Sequence, residues 1–279
     1  MGESLSKGYY FQQDVQEVPR TPPHTPTPVC GGSPWSMESD VTTPMWSAAT
    51  GVDTVIIFDW DDTLLCSSAI NNQSWSPQQL QQLERAVETI LHTAMALGET
   101  MIVTNGNATW VQDSTRRFFP GLAKTLSRLT VISARASFES SFPGDPFAWK
   151  RQCFKEILAR RRQEGGNYLG GVNLVVLGDS PAEIEAAQSA VKVLHGKSVV
   201  KTLKFKEAPT VNELLGQLRR VLQELGSLVS EERAGNKTLV PRSFPAHLDH
   251  LSSWASGWRI SEQESWDYSR VAATLLVGA

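Results

Sequence analysis

The sequence predicts an α/β fold, a doubly wound five-stranded parallel sheet covered by helices on both faces. Five short runs rich in β-branched and aliphatic residues have the length of buried strands. They occupy residues 55–58, 101–103, 129–132, 174–177 and 199–205. Helical patterns lie between them, and this alternation is typical of a parallel sheet. Ligands of such sheets bind at the carboxyl ends of the strands, near the point where the strand order reverses.

The helical segments between these runs carry recognisable end signals. The first has Ser76 as N-cap, Pro77 at its first position and Gly98 after its last turn. A second helix starts near Asn107. Further helices are expected from Asp145, from Ser180 and over residues 211–225.

The two ends of the chain differ from this central domain, which we place at residues 51–226. Residues 1–50 contain seven of the fifteen prolines and few aliphatic residues, so we expect a disordered N-terminal arm. The start of the arm fits the template for myristoylation at Gly2, without the basic cluster that would supply a second membrane anchor. Residues 227–279 have tryptophans but no clear period, and we expect a tail that docks through its aromatic rings and is partly ordered at most.

Charge and cysteine content narrow the classes of partner and compartment. The formal net charge is -3 and no local basic patch is present, so we expect no nucleic-acid partner. The three cysteines are widely spaced without a CxxC motif, which argues against a disulfide framework and a cysteine zinc site. No apolar run reaches the roughly 18 residues of a membrane helix. We therefore expect an intracellular protein without a transmembrane segment, in the cytoplasm or the nucleus.

Acidic residues follow the first predicted strand, in the segment DWDDT at residues 59–63. Asp59 and Asp61 are two positions apart, so in an extended backbone their side chains share one side of the chain. Two carboxylates about 4 Å apart repel by roughly 4 kcal/mol at an effective dielectric constant near 20. Mg²⁺ would offset this repulsion and prefers such hard oxygen ligands. An acidic turn that closes a strand without a metal is the alternative.

Polar residues also follow the second and fourth predicted strands. Thr104 ends the second strand, and Asp179 follows the fourth, with Glu183 one helical turn later. Ser180 and Glu183 have the spacing of a capping box, in which the glutamate bonds to a free amide of its own helix. Capping and a role beside a metal both remain open for Glu183.

Helical spacing distinguishes two lysines of the third predicted long helix. At 100° per residue, Lys150 lies about 40° from the centre of the apolar stripe and Lys155 about 100° from it. We therefore expect Lys150 to face inward as a counter-charge to the carboxylates. A lysine stem that packs along the edge of the stripe is the structural alternative.

Taken in order, these motifs resemble those of the haloacid dehalogenase (HAD) superfamily, which consists mostly of phosphohydrolases. The matching set is DWDDT, Thr104, the inward Lys150 and GDSPAE at residues 178–183. The resemblance spans residues 52–225 and implies a HAD-like Rossmannoid domain. The intervals between the motifs are too short for the inserted cap domain that many members carry, so we expect no cap domain.

The resemblance implies a catalytic role for four residues. Asp59 would attack phosphorus and carry an aspartyl-phosphate, and Asp61 would protonate the leaving oxygen and later activate water. Thr104 and Lys150 would hold the phosphoryl oxygens. The second aspartate favours hydrolysis of phosphate esters, because members that lack it tend to be ATPases or dehalogenases.

The resemblance also implies Mg²⁺ as cofactor. Its ligands would be Asp59, the main-chain carbonyl of Asp61, and Asp179, with Glu183 beside them. Glu183 stands where the family often has aspartate, and its longer side chain makes its place in this set the least certain.

In this superfamily an open site without a cap domain often goes with a macromolecular substrate, so the resemblance implies a phosphorylated macromolecule such as a phosphoprotein. A small phosphorylated metabolite is the alternative if the tryptophan-bearing tail folds over the site. Two other classes are weighed against this hydrolase. A signalling receiver domain would carry its phosphate-accepting aspartate after the third strand, where the sequence reads Ser133-Ala134-Arg135. A catalytically weak or inactive HAD-like binding module would keep the fold and bind partners through the arm or the tail.

Overall fold

Seven strands form one sheet at the centre of the molecule. In chain order they are β1 (Asp53–Phe58), β2 (Glu99–Thr104), β3 (Thr130–Ser133), β4 (Val172–Gly178), β5 (Val199–Lys204), β6 (Gly235–Pro241) and β7 (Trp258–Glu262). The computed structural model describes residues 53–163, 171–192, 198–241 and 257–262, which all belong to one compact unit. The predicted arm and the Gly2 motif lie outside the described residues.

The strand order is β3-β2-β1-β4-β5-β6-β7, and every neighbouring pair is parallel except β6 and β7. The chain builds the sheet outward from β1 to β3, then returns and continues outward from β4. The strand order therefore reverses between β1 and β4, where ligands of such sheets bind. The sequence predicted five of these strands, and β6 and β7 extend the same sheet beyond them.

Helices cover both faces of the sheet. They are α1 (Ser67–Asn71), α2 (Pro77–Leu97), α3 (Trp110–Phe118), α4 (Ala123–Leu126), α5 (Ala134–Phe138), α6 (Pro146–Gln163), α7 (Pro181–Val191) and α8 (Val211–Ser230), with a 3-10 turn at Pro120–Leu122. Capping boxes start α2 at Ser76 and α8 at Thr210. Residues 59–163 contain helices together with β2 and β3, and no inserted domain.

The side chains of β1 show why its apolar run is continuous. Ile56 and Phe58 belong to the core under α2 and α8, whereas Val55 and Ile57 belong to the core under α6 and α7. All four are at most 1% exposed. A strand that is buried on both faces needs apolar residues at every position, so its sequence does not alternate.

The described part of the tail belongs to the sheet. The predicted boundary at residue 226 falls inside α8, and Trp258 of β7 is buried against that helix. A Cβ at Gly216 would lie 2.8 Å from Cδ1 of Trp258, so the missing side chain lets the ring approach the helix closely. Trp254 and Trp266 lie outside the described residues. None of the described helices combines the length and the apolar character that crossing a bilayer requires.

Candidate active site

Strand pairing brings Asp59 and Asp179 to the same edge of the sheet. Phe58 is paired with Leu177 across β1 and β4, and the amide of Asp59 donates to the carbonyl of Leu177 at 2.9 Å. Asp59 therefore lies level with Gly178, one residue before Asp179. Both aspartates stand at the point where the strand order reverses.

Three carboxylates meet at this point. Asp59, Asp179 and Glu183 each present an oxygen, and these oxygens all lie within 4.8 Å of one another. Two ligands on opposite sides of a Mg²⁺ ion at about 2.1 Å would be about 4.2 Å apart. The spacing of the three side chains thus suits a divalent cation bound by hard oxygen ligands.

Lys150 lies buried beside these carboxylates, with a side chain that is 1% exposed. Its ammonium contacts Oδ1 of Asp59 at 2.6 Å and Oε1 of Glu183 at 2.9 Å, and donates to the carbonyl of Val103 at 2.6 Å. An ammonium has three hydrogens, so these contacts use its full donor capacity. Lys155, which is half-buried on the same helix, takes no part in the cluster.

Glu183 combines the two interpretations that its sequence left open. Its Oε2 accepts from the amide of Ser180 at 3.0 Å as part of a capping box, while its Oε1 pairs with Lys150. A Cβ at Gly178 would lie 2.6 Å from Cγ of Glu183, so glycine is what lets the glutamate fold back over the strand end. Both carboxylate oxygens of Glu183 are already engaged. Asp59 and Asp179 are therefore better suited than Glu183 to bind a metal directly.

The cluster carries more negative than positive charge. Burial raises the pKa of Asp59 to about 7, against the opposing attraction of Lys150. Burial, with repulsion from Asp59 and Glu183, raises the pKa of Asp179 to about 9. Burial opposes the charged form of Lys150, but attraction to the same two carboxylates outweighs it and raises that pKa. Three carboxylates that face one ammonium would gain most from a divalent cation, so the donor set fits a metal such as Mg²⁺.

Asp61 and Thr104 lie beside the three carboxylates, in contact with each other. The indole Nε1 of Trp110 lies 3.0 Å from Oδ1 and 3.1 Å from Oδ2 of Asp61, and the Thr104 hydroxyl donates to Oδ2 at 3.4 Å. Burial raises the pKa of Asp61, while the hydrogen bond from Trp110 acts in the opposite direction. The side chain of Asp61 is therefore held by an aromatic donor and a hydroxyl, apart from the three metal-suited carboxylates.

Sequence reasoning missed two residues that shape this edge. Trp110 starts α3 and contacts Asp61, although its sequence position marked only a helix. Asp62 has a φ of 51° and accepts from the amide of Ser68 at 2.9 Å, which holds the first turn of α1 beside the strand end. An aspartate five residues before a pair of serines at a helix start is the signal that would have indicated the second of these contacts.

The two described cysteines do not offer an alternative nucleophile. Cys66 and Cys153 are both free and buried. Burial raises the pKa of each thiol to about 12. The reactive form of cysteine is the thiolate, which such surroundings disfavour. Among the described residues, carboxylate chemistry at Asp59 is the better supported choice.

Comparison of this chain with protein-family models, with curated proteins and with solved structures gave no match. The functional interpretation is therefore supported by the arrangement of the residues at the strand ends.

Proposed function

We propose that this chain is a HAD-like, Mg²⁺-dependent phosphohydrolase that acts on phosphomonoesters through an aspartyl-phosphate at Asp59. The observation that carries the proposal is the meeting of Asp59, Lys150 and Asp179 at the reversal point of a parallel sheet. A carboxylate serves as nucleophile toward a phosphoryl group only where positive charge offsets the repulsion between them. Lys150 supplies part of that charge from 2.6 Å.

The first half of the reaction transfers the phosphoryl group to Asp59. An oxygen of Asp59 forms a bond to phosphorus while the bond from phosphorus to the ester oxygen breaks. The proton on Asp61 moves to that oxygen, which leaves as an alcohol. When the phosphoryl group enters, Lys150 and Thr104 each exchange one present hydrogen bond for one to a phosphoryl oxygen.

The second half releases phosphate. A water molecule gives a proton to Asp61 and attacks phosphorus, the bond from phosphorus to Asp59 breaks, and both aspartates return to their starting states. Asp59 and Asp179 would hold a divalent cation, which would supply positive charge near the phosphoryl oxygens. One carboxyl group therefore serves as acid and then as base.

We further propose a macromolecular substrate, with a phosphoprotein as the preferred class. In HAD-like enzymes an inserted domain commonly closes over a small substrate, and residues 59–163 contain none. A protein that carries the phosphate would itself exclude water when it covers this edge of the sheet.

The direct test is release of phosphate from p-nitrophenyl phosphate in the presence of Mg²⁺. We expect the wild-type chain to turn over this ester slowly and Asp59→Asn to reduce the rate to background, because an amide is not nucleophilic enough to attack. Asp53→Asn is the matched control, since Asp53 is an exposed aspartate at the opposite end of the same strand. Full activity in Asp59→Asn would contradict the assignment of the nucleophile.

Beryllofluoride provides a second measurement that needs no substrate. It mimics a phosphoryl group on a carboxylate, so ¹⁹F NMR should show a bound signal with the wild-type protein and Mg²⁺. The signal should disappear in Asp59→Asn and persist in Asp53→Asn. A bound signal without turnover of any ester would favour the inactive binding module over the hydrolase.

A further inference from the structure

Trp110 holds the carboxylate that exchanges the proton in the proposed reaction. Its indole N–H faces both oxygens of Asp61, at 3.0 Å and 3.1 Å, from the first position of α3. We infer that Trp110 is a positioning residue that sets the orientation of Asp61 toward the leaving oxygen. The inference rests on the proposed function and assigns to α3 a part in its proton transfer.

The ring of Trp110 packs on one loop, and its backbone is held in the first turn of α3. A Cβ at Gly106 would lie 2.3 Å from Cδ1 of Trp110, so the ring packs directly on the backbone of the loop after β2. The amide of Gly106 donates to the hydroxyl of Thr104 at 2.9 Å, which ties the same loop to the site. Ser114 donates to the carbonyl of Trp110 at 2.6 Å and holds the first turn of α3. The indole therefore has little freedom to turn away from Asp61.

An indole is suited to this task because it donates and cannot accept a proton. It orients the carboxyl group of Asp61 without competing for the proton that this group transfers. In the first half of the reaction that proton goes to the ester oxygen as its bond to phosphorus breaks. If the acid is wrongly oriented, this step slows most for a leaving oxygen that cannot leave without a proton, and least for one that leaves readily as an anion.

Two esters with different leaving groups can therefore show whether Trp110 orients the acid or only supports the fold. p-Nitrophenolate leaves readily without a proton, whereas an aliphatic alkoxide does not. p-Nitrophenyl phosphate and benzyl phosphate are a matched pair, because both carry one aromatic ring and differ mainly in this requirement. A residue that orients the acid affects the benzyl ester selectively, and a residue that only supports the fold affects both esters equally.

The experiment measures kcat for both esters with Mg²⁺ in Trp110→Phe, which keeps an aromatic ring and removes the donor. We expect a loss of about tenfold or more on benzyl phosphate and less than about threefold on p-nitrophenyl phosphate. Gly106→Ala, which pushes the ring aside, should give the same selective loss. Arg116→Ala removes an exposed side chain from the same helix without touching Trp110 or Asp61, and it should change both rates by the same factor.

A double-mutant cycle completes the test. In an Asp61→Asn background, Trp110→Phe should cause no further loss on benzyl phosphate, because the group that it orients is gone. Equal losses on both esters in Trp110→Phe, or a further loss in the Asp61→Asn background, would overturn the role of Trp110 and leave the proposed hydrolase intact. A wild-type protein that hydrolyses neither ester would overturn the proposed function itself, and this inference with it.

Discussion

Two fully buried lysines differ in what surrounds them, Lys150 on α6 beside the ends of β1 and β4, and Lys201 within β5. Lys150 and Lys201 are each 1% exposed. Lys150 contacts two carboxylates, whereas Lys201 donates to the carbonyl of Val229 at 2.7 Å, near the last turn of α8. Burial lowers the pKa of Lys201 to about 8, and the carboxylates raise that of Lys150. The partners of a buried lysine, more than its burial, decide whether it stays charged.

The same contrast holds for space and charge. A cavity of about 390 Å³ lies on the Lys201 side of the molecule, among α8, β6 and β7. Its charged lining residues pair with neighbours, since Glu231 contacts Lys237 at 2.6 Å and Glu224 contacts Arg220. Beside Lys150, by contrast, three carboxylates converge on one ammonium. We therefore place the proposed function where charge converges and regard the cavity as a surface feature.

Removing the ammonium of Lys150 should have the largest effect. Lys150→Met leaves Asp59 and Glu183 buried without their cation, and loss of one partner from a buried ion pair costs about 3–5 kcal/mol. Without Mg²⁺ we expect the free energy of unfolding to fall by this amount, as urea denaturation would measure. We also expect turnover of p-nitrophenyl phosphate to fall to background, because the charge that offsets the phosphoryl oxygens is lost.

Lys155→Met is the matched control for this prediction. It removes a lysine from the same helix at a half-buried position. Its effects on unfolding and on turnover should be small. Equal losses in the two variants would mean that the contacts of Lys150 with Asp59 and Glu183 contribute nothing. The contrast between Lys150 and Lys201 would then fail.

Much of the central fold is predictable because its signals are local. β1 and β4 are apolar at nearly every position, and Ser76, Pro77 and Gly98 bracket α2 where the sequence places it. β6 was missed because only Leu239 of its residues is fully buried, so its run lacks an apolar pattern. β7 alternates apolar and polar residues only from Trp258 to Ser261, a pattern too short to recognise within a polar tail.

The candidate site was predictable only in part. Asp59, Asp179 and Lys150 were predicted together because strand ends and helical faces follow from the period of the sequence. The contact of Trp110 with Asp61 depends on how α3 packs against the loop at Gly106, which no local pattern records. The double role of Glu183 likewise depends on the absence of a side chain at Gly178.

Substitution of Lys201 should change how the stability of the protein depends on pH. Between pH 8 and 10.5 the unfolded chain keeps a proton on Lys201 that the folded chain has released, so the stability of the wild-type protein rises with pH in this window. Lys201→Met lacks this gain. From pH 7 to 10.5, the wild-type protein should therefore gain up to roughly 3 kcal/mol in free energy of unfolding relative to Lys201→Met.

The groups that face Lys201 define the control. Glu231 favours its charged form and Lys237 opposes it, and both stay in place in either variant. Lys201→Arg keeps a charge at every pH in the window, so it should also lack the gain while remaining less stable than Lys201→Met. A gain with pH that persists in Lys201→Met would show that other groups cause it.

The smallest effect should come from the response to Mg²⁺. A ligand that binds only the folded state at ten times its Kd stabilises it by about 1.4 kcal/mol, and thermal unfolding with and without MgCl₂ would detect this. Asp179→Asn should abolish the response, because an amide lacks the charge of the carboxylate. Without Mg²⁺ the same variant should be more stable than the wild type, since it removes one of three carboxylates that share one ammonium. Glu231→Gln, which changes a carboxylate near Lys201, should keep the full response to Mg²⁺. A response that survives in Asp179→Asn and disappears in Glu231→Gln would place the cation beside Lys201. It would thus reverse the contrast between Lys150 and Lys201.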